Sequence, residues 1–279
     1  TFNGMIKTMK VKKANMKIED MDAIAVTYGP GLMGSLLVGV EAAKTLALLY
    51  NKPLIAVNHL AGHIYANNLE NDMKFPLLAL IISGGHTDIV YMEDDYKFKV
   101  LGGTLDDAIG EAYDKVARVL GLKYPGGPNV EKMALNGKPS YKLPIPMNDE
   151  SLNMSFSGLK SSIINLVHNE TQRNKEINKE DLACSFQTVA TDQLVRKLEL
   201  AIKQTNIKNI IIAGGVSANR YIRQEVTKLA EKYNANISVP KLLYCTDNAA
   251  MIGAAAYPLY LKNEFADLDL NANPSEELY

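Results

Sequence analysis

Two cysteines in 279 residues, Cys184 and Cys245, are too few for a disulfide scaffold and fit a reducing cytosol. Neither sign of charge is in excess. Thirty Lys and Arg stand against 31 Asp and Glu, so nothing global advertises a nucleic-acid partner, which would need a local surface or help from elsewhere. No stretch reaches the apolar length expected of a membrane span, and no signal peptide is read; a cytoplasmic protein with no membrane partner is expected. Histidine is scarce, at four residues, so a close pair of them draws notice.

What is present is ordinary globular composition, 47% apolar and 22% charged, enough for a sizeable core. The chain opens on Thr1, and Lys7, Lys10, Lys12, Lys13 and Lys17 lie in a segment predicted as a solvated helix leading into a strand. Strand and helix patterns then alternate, which predicts an α/β fold. Strands are predicted at 22–28, 54–57, 77–83, 88–92, 209–213 and 236–240, and helices at 33–50, 59–69, 105–120, 129–137, 158–169, 179–205, 218–233 and 247–262. A proline-bearing polar stretch over 138–157 suggests a lobe boundary near it. The division expected is 1–125, 126–245, and 246–279 as a helix returning to the first lobe with a frayed tail after Phe265.

Four glycine-bearing turns punctuate this pattern: Tyr28-Gly29-Pro30-Gly31, Ser83-Gly84-Gly85-His86-Thr87, Pro125-Gly126-Gly127-Pro128 and Ala213-Gly214-Gly215-Val216-Ser217. The second and fourth end short apolar runs, 77–82 and 210–212. Paired glycines at a strand end let a phosphate approach backbone N–H groups that no Cβ shields, and two such turns can grip two ends of one nucleotide.

His59 and His63 are four apart in Asn58-His59-Leu60-Ala61-Gly62-His63, so on a helix they share a face and could share a metal; taken alone they read equally as packed or surface residues. Leu60 stands where a metalloprotease helix carries its glutamate base, which argues against that chemistry. Asp247, in Cys245-Thr246-Asp247-Asn248, reads either as a helix cap or as an oxygen ligand completing the site. Asp107, Glu111 and Asp114 make an acidic stripe on one predicted helix, either facing a ligand or plainly solvated. Ser155-Phe156-Ser157-Gly158-Leu159-Lys160 is a helix start in which Lys160 could meet an anion.

In this order and spacing, these segments resemble the TsaD family of tRNA N6-adenosine threonylcarbamoyltransferases over nearly the whole chain. The resemblance implies an actin-like (ASKHA) two-lobed α/β fold. It also implies transfer of threonylcarbamoyl from threonylcarbamoyl-AMP to N6 of adenosine 37 in tRNAs reading codons that begin with A. By matching motif it makes His59, His63 and Asp247 ligands of one divalent ion, iron or zinc. It puts Ile81, Ile82, Ser83, Gly84, Gly85, Asp114, Gly127 and Asn219 at the substrate, with Glu131 a position where other members carry Asp. No residue beyond these ligands is assigned to catalysis. A paralogous TsaB-like partner and a TsaE-like ATPase are implied as well. The family's opening Gly-Ile-Glu-Thr-Ser-type motif is not found before Asp22, so the first lobe is expected to be incomplete. Rival readings are a carbamoyltransferase for a small molecule and a non-catalytic actin-like nucleotide module, which would have no use for the histidine pair.

Overall fold

The computed structural model describes residues 16–278, and the lysine-rich helix expected at the start falls largely outside them. Contacts divide the chain into two units: residues up to Tyr65 with Ala249–Leu278, and Ala66–Asn248.

In the first unit, β1 (Ile24–Gly29) and β2 (Leu54–Asn58) pair in parallel, joined by the helix α1 (Met33–Tyr50). Leu36, Val40, Ala43 and Ala47 recur every three or four residues and are buried, and α1 packs on β1 along that stripe. Its other side leaves Leu37, Val38, Leu48 and Leu49 exposed. By length and composition α1 is apolar enough to cross a membrane, contrary to the sequence expectation, although Glu41 and Lys44 interrupt its apolar run. The short helix α2 (His59–Tyr65) follows β2 directly and packs on α9 (Ala249–Leu261). The segment after Phe265, expected to fray, is ordered: Ala266 bridges to Leu54, and the Lys44 ammonium donates to the Leu270 carbonyl at 3.2 Å.

The second unit is built on one sheet, in the order β5 (Phe98–Gly103), β4 (Thr87–Met92), β3 (Leu77–Ile82), β6 (Asn209–Ala213), β7 (Asn236–Ser238). β3 is antiparallel to β4 and parallel to β6, and all six of its residues are buried, as befits a continuous apolar run in a central strand. Around it stand α3 (Ile109–Leu120), α4 (Gly126–Ala134), α5 (Ser157–Gln172), α6 (Lys179–Thr205), α7 (Arg220–Lys232) and the short α8 (Leu242–Cys245). The core gathers Leu80 and Ile82 of β3, Tyr113 and Val116 of α3, Phe186 and Leu194 of α6, and Val226 of α7; the Tyr113 and Phe186 rings meet edge to face at 4.9 Å. One sheet thus holds strands from both sides of residue 125, and α3 packs on α4. The division expected at 125/126 therefore lies inside this unit, and the breaks fall after Tyr65 and Asn248.

The irregular stretch before α5 is clamped by α6. Gln193 and Arg196 donate to the Pro146 carbonyl at 3.0 and 2.9 Å. Lys197, wholly buried, donates to the Asp149 carboxylate at 2.7 Å and to the carbonyls of Ser151 and Asp149 at 2.6 and 3.1 Å. The Lys197 ammonium and the Ser151 hydroxyl hold the Asp149 carboxyl at about 2, below its ordinary 3.8. A carboxyl lowered on folding contributes stability that is present above its unfolded value and disappears as pH falls through its folded one. Denaturant midpoints should therefore fall between pH 4 and pH 2 more steeply in the unaltered chain than in Asp149→Asn. Parallel pH profiles for the two proteins would contradict the clamp's ionic character.

Candidate active site

The two glycine turns that close apolar strands emerge side by side. Ile81 of β3 is level with Ala213 of β6 in their parallel register, so Ser83-Gly84-Gly85 and Gly214-Gly215 leave neighbouring strands at their carboxyl ends, where α/β sheets bind ligands. Two glycines here are required by the chain itself. Gly214 has φ +93°, and a Cβ on it would lie 2.4 Å from the Ile82 carbonyl oxygen; one on Gly110 would lie 2.5 Å from that of Ser83. The Ser83 turn is closed by its own bonds, the Ser83 N–H donating to the His86 carbonyl at 2.9 Å and the His86 N–H to the Ser83 hydroxyl at 3.0 Å.

Gly84, Gly85, Gly127 and Gly215 differ. A Cβ on any of them meets no protein atom within 4 Å, and none has left-handed φ, so the fold does not ask for glycine there. Gly34, Gly158 and Gly253 are equally open, each on a helix of its own, and Gly127 is likewise helical, at the start of α4; Gly84, Gly85 and Gly215 lie instead on the turns that leave β3 and β6. The polar residues expected at the substrate hold those turns. The Asp114 carboxylate accepts from the Gly126 N–H at 2.7 Å, fixing the start of α4, which takes Gly126 and Gly127 into its first turn. Glu131 accepts from the Arg220 N–H at 2.6 Å, linking α4 to the start of α7. Buried Asn219 accepts from the Ile222 N–H at 3.0 Å and donates to Gln187 at 3.3 Å. Ile81 and Ile82 are wholly buried, so they can offer a ligand backbone atoms and no side chain.

The acidic stripe is resolved without a ligand. Asp107 lies ahead of α3, which begins at Ile109 rather than 105; its carboxylate is paired with Lys115 at 2.8 Å and Lys160 at 2.6 Å, and Lys115 also meets Glu111 at 2.7 Å. The anion facing Lys160 is therefore Asp107. Burial raises the Asp107 carboxyl, and the hydrogen bonds and charges of the two lysines more than reverse this, leaving it lowered. Asp106 serves α5 rather than α3, accepting from the Phe156 and Ser157 N–H groups at 2.8 and 3.1 Å and from both flanking serine hydroxyls. It is a helix cap supplied from 50 residues away.

In the first unit, His59 and His63 project from one face of α2 with ring centroids 4.7 Å apart. Between them Gly62 faces α9 so closely that a Cβ would lie 2.7 Å from the Ile252 Cδ1. Asp247 stands just ahead of α9, at the junction where the chain re-enters this unit. Ligand atoms of His59, His63 and Asp247 all lie within 4.8 Å of one another. Two imidazoles and one carboxylate form a donor set suited to zinc or non-haem iron. The residues present fit a divalent metal.

The family described as tRNA N6-adenosine threonylcarbamoyltransferase (TsaD) matches residues 3–254. Proteins of that name from Staphylococcus haemolyticus and Bacillus cereus are 52% and 51% identical, aligned over 95% and 96% of this chain and 78% and 79% of their own. The chain belongs to this family. Among solved structures, T. kodakarensis HypF superposes with a TM-score of 0.68 at 15% identity, over 96% of this chain and 44% of its own. The (R)-2-hydroxyglutaryl-CoA dehydratase component A of Acidaminococcus fermentans does so at 0.51 and 17%, over 91% of this chain and 82% of its own. These are likenesses of fold, and the α/β fold with its mixed sheet is actin-like.

Against the TsaD motifs, one residue of the second unit was not singled out from sequence. Arg223 of α7 donates from Nε to the Ser217 carbonyl, and from Nη2 to the Pro240 carbonyl at 2.8 Å and the Cys245 sulfur at 2.9 Å. It ties the Gly214 turn to the segment that ends in Asp247. Its signal in sequence was the arginine one helical turn after Asn219, a spacing too common to be read alone.

Proposed function

We propose that this chain transfers the threonylcarbamoyl group from threonylcarbamoyl-AMP to N6 of adenosine 37 in tRNAs reading codons that begin with A. One observation carries the reading: Gly84, Gly85, Gly127 and Gly215 lack side chains where no protein atom would meet them, on turns from neighbouring strand ends and a helix start. Such turns suit a phosphate-bearing ligand approached along the backbone. In this reading Ile81–Gly85, Asp114, Gly127, Glu131 and Asn219 make the adenylate site, with Asp114, Glu131 and Asn219 acting through the backbone they brace.

Threonylcarbamoyl-AMP is a mixed anhydride, so its carbonyl carbon is already activated and no covalent enzyme intermediate is needed. The adenosine N6 forms a bond to that carbon, the bond to the phosphate oxygen breaks, N6 gives up a proton, and AMP leaves. What the residues contribute is placement of the reacting groups and stabilisation of the departing phosphate by backbone N–H groups. A divalent ion held by His59, His63 and Asp247 would supply positive charge to orient and polarise the acyl group.

With 30 cationic against 31 anionic side chains, this chain has no surplus charge for tRNA phosphates. The resemblance to the TsaD family implies a TsaB-like paralogue and a TsaE-like ATPase as partners, acting with it in the cytoplasm. The test is mass spectrometry of nucleosides from tRNA incubated with the purified chain, those partners and threonylcarbamoyl-AMP. Threonylcarbamoyl-adenosine should accumulate; binding of AMP with no transfer would instead favour a non-catalytic actin-like module.

A further inference from the structure

The turn Tyr28-Gly29-Pro30-Gly31 at the end of β1 belongs to neither set of residues above. What lies against it is the chain's own segment after α9. The Asn273 N–H donates to the Tyr28 carbonyl at 2.8 Å, the Gly31 N–H to the Pro274 carbonyl at 3.2 Å, and the Tyr28 hydroxyl to the Glu276 carboxylate at 2.6 Å. The approach is so close that a Cβ on Gly29 would fall 2.1 Å from the Asn273 oxygen and 2.6 Å from the Glu276 Cβ. The segment then reaches Asn58, whose Nδ2 donates to the Glu277 carbonyl at 2.8 Å, and Leu278 beyond it is buried.

Asn58 is the last residue of β2 and directly precedes His59. Its Oδ1 accepts from the N–H groups of Leu60 at 2.8 Å and Ala61 at 3.3 Å, so one side-chain amide is bonded at one end to the start of α2 and at the other to this segment. Seven residues are too few for a helix to hold its own shape, and α2 depends on outside anchors. Packing of Gly62 on α9 is one, and Asn58 is another.

We propose that Asn273–Leu278 is a strap that holds α2 in the orientation in which His59 and His63 present their ring nitrogens to a metal, and that position 29 is glycine in order to seat it. Asn58 is then a positioning residue, acting through the histidines without touching the ion. The inference rests on the divalent-metal reading of those histidines.

Partners that orient metal-binding histidines are worth about tenfold to a hundredfold in metal affinity. The full chain, stripped with a chelator, is titrated calorimetrically with Zn2+ alone and separately with AMP, and amide hydrogen exchange is followed along α2. Gly29→Ala should bind Zn2+ at least about tenfold more weakly and exchange faster over 60–65, with AMP affinity unchanged. The paired change Tyr28→Phe with Glu276→Gln adds no atoms to the seat and should shift both readouts in the same direction if Gly29→Ala fails to fold. Zn2+ affinity within twofold of the unaltered chain, with α2 exchange unchanged, overturns the strap. Equal Zn2+ uptake by the unaltered chain and His59→Ala would instead remove the metal reading, leaving the strap to be judged by exchange alone.

Discussion

His59→Ala is expected to lose bound metal and threonylcarbamoyl transfer together while the chain stays folded. The same holds for His63→Ala. Changes to residues that merely orient a metal ligand cost about ten- to a hundredfold in affinity, so loss of one of three ligands should exceed a hundredfold. His59 is half-buried on a helix surface, so its truncation opens little cavity, whereas His63 is buried and its loss will cost some stability as well. Elemental analysis and tRNA nucleoside mass spectrometry read the two losses, and thermal unfolding separates them from misfolding. Metal binds the folded state and raises its stability by an amount that grows with free metal concentration. The melting temperatures of the unaltered chain and His59→Ala should thus differ in added Zn2+ and draw together in chelator. A double histidine variant that holds no metal yet modifies tRNA would remove His59 and His63 from the chemistry.

The glycines should separate into two groups with opposite phenotypes. Gly214→Ala places a side chain at φ +93° with its Cβ 2.4 Å from a backbone oxygen of β3, which cannot swing aside. Strain of that kind costs about 1–3 kcal/mol before the clash is added, so a loss near 3 kcal/mol or more is expected in chemical denaturation. Gly215→Ala and Gly127→Ala meet nothing and should unfold within about 0.5 kcal/mol of the unaltered chain. Their loss should appear in binding instead. A methyl group between a phosphate and the backbone should weaken AMP at least tenfold, equivalent to about 1.4 kcal/mol, in a calorimetric titration. Were Gly127→Ala and Gly215→Ala to bind AMP as the unaltered chain does, the open glycines would have no ligand to explain them.

Periodicity alone was enough where one element is long or fully buried. α6 and β6 begin and end where the pattern places them, because twenty-seven residues with a recurrent apolar face and a five-residue run closing on Gly214 leave little freedom. β5 was missed because Phe98-Lys99-Val100-Leu101-Gly102-Gly103 pairs on one side only, as an edge strand, and neither alternates nor clusters strongly. The start of α3 was set four residues early because Asp106 and Asp107 look like a helix N-terminus; they are acidic for the sake of α5, Lys115 and Lys160. The same limit applies to the site. Motif spacing identified the histidine pair and the paired glycines, since those patterns are local. That Gly29 seats the strap while Gly215 faces open space depends on which distant segment arrives at each turn, and one-dimensional spacing does not carry that.

The clamp of α6 on the stretch before α5 has a consequence for how this protein handles proteases. Residues 135–156 contain no helix or strand, and a linker of that length in solution would be the first place a protease cuts. Here the carbonyls of Pro146, Met147, Asp149 and Ser151 are occupied by Arg196 and Lys197, so the backbone cannot straighten into a protease cleft unless the buried Lys197 ammonium first gives up its three acceptors. A protease that needs an extended backbone is thereby held off residues 146–151, whereas Lys142, ahead of the clamp, is left to the bonds that α6 makes with Tyr141.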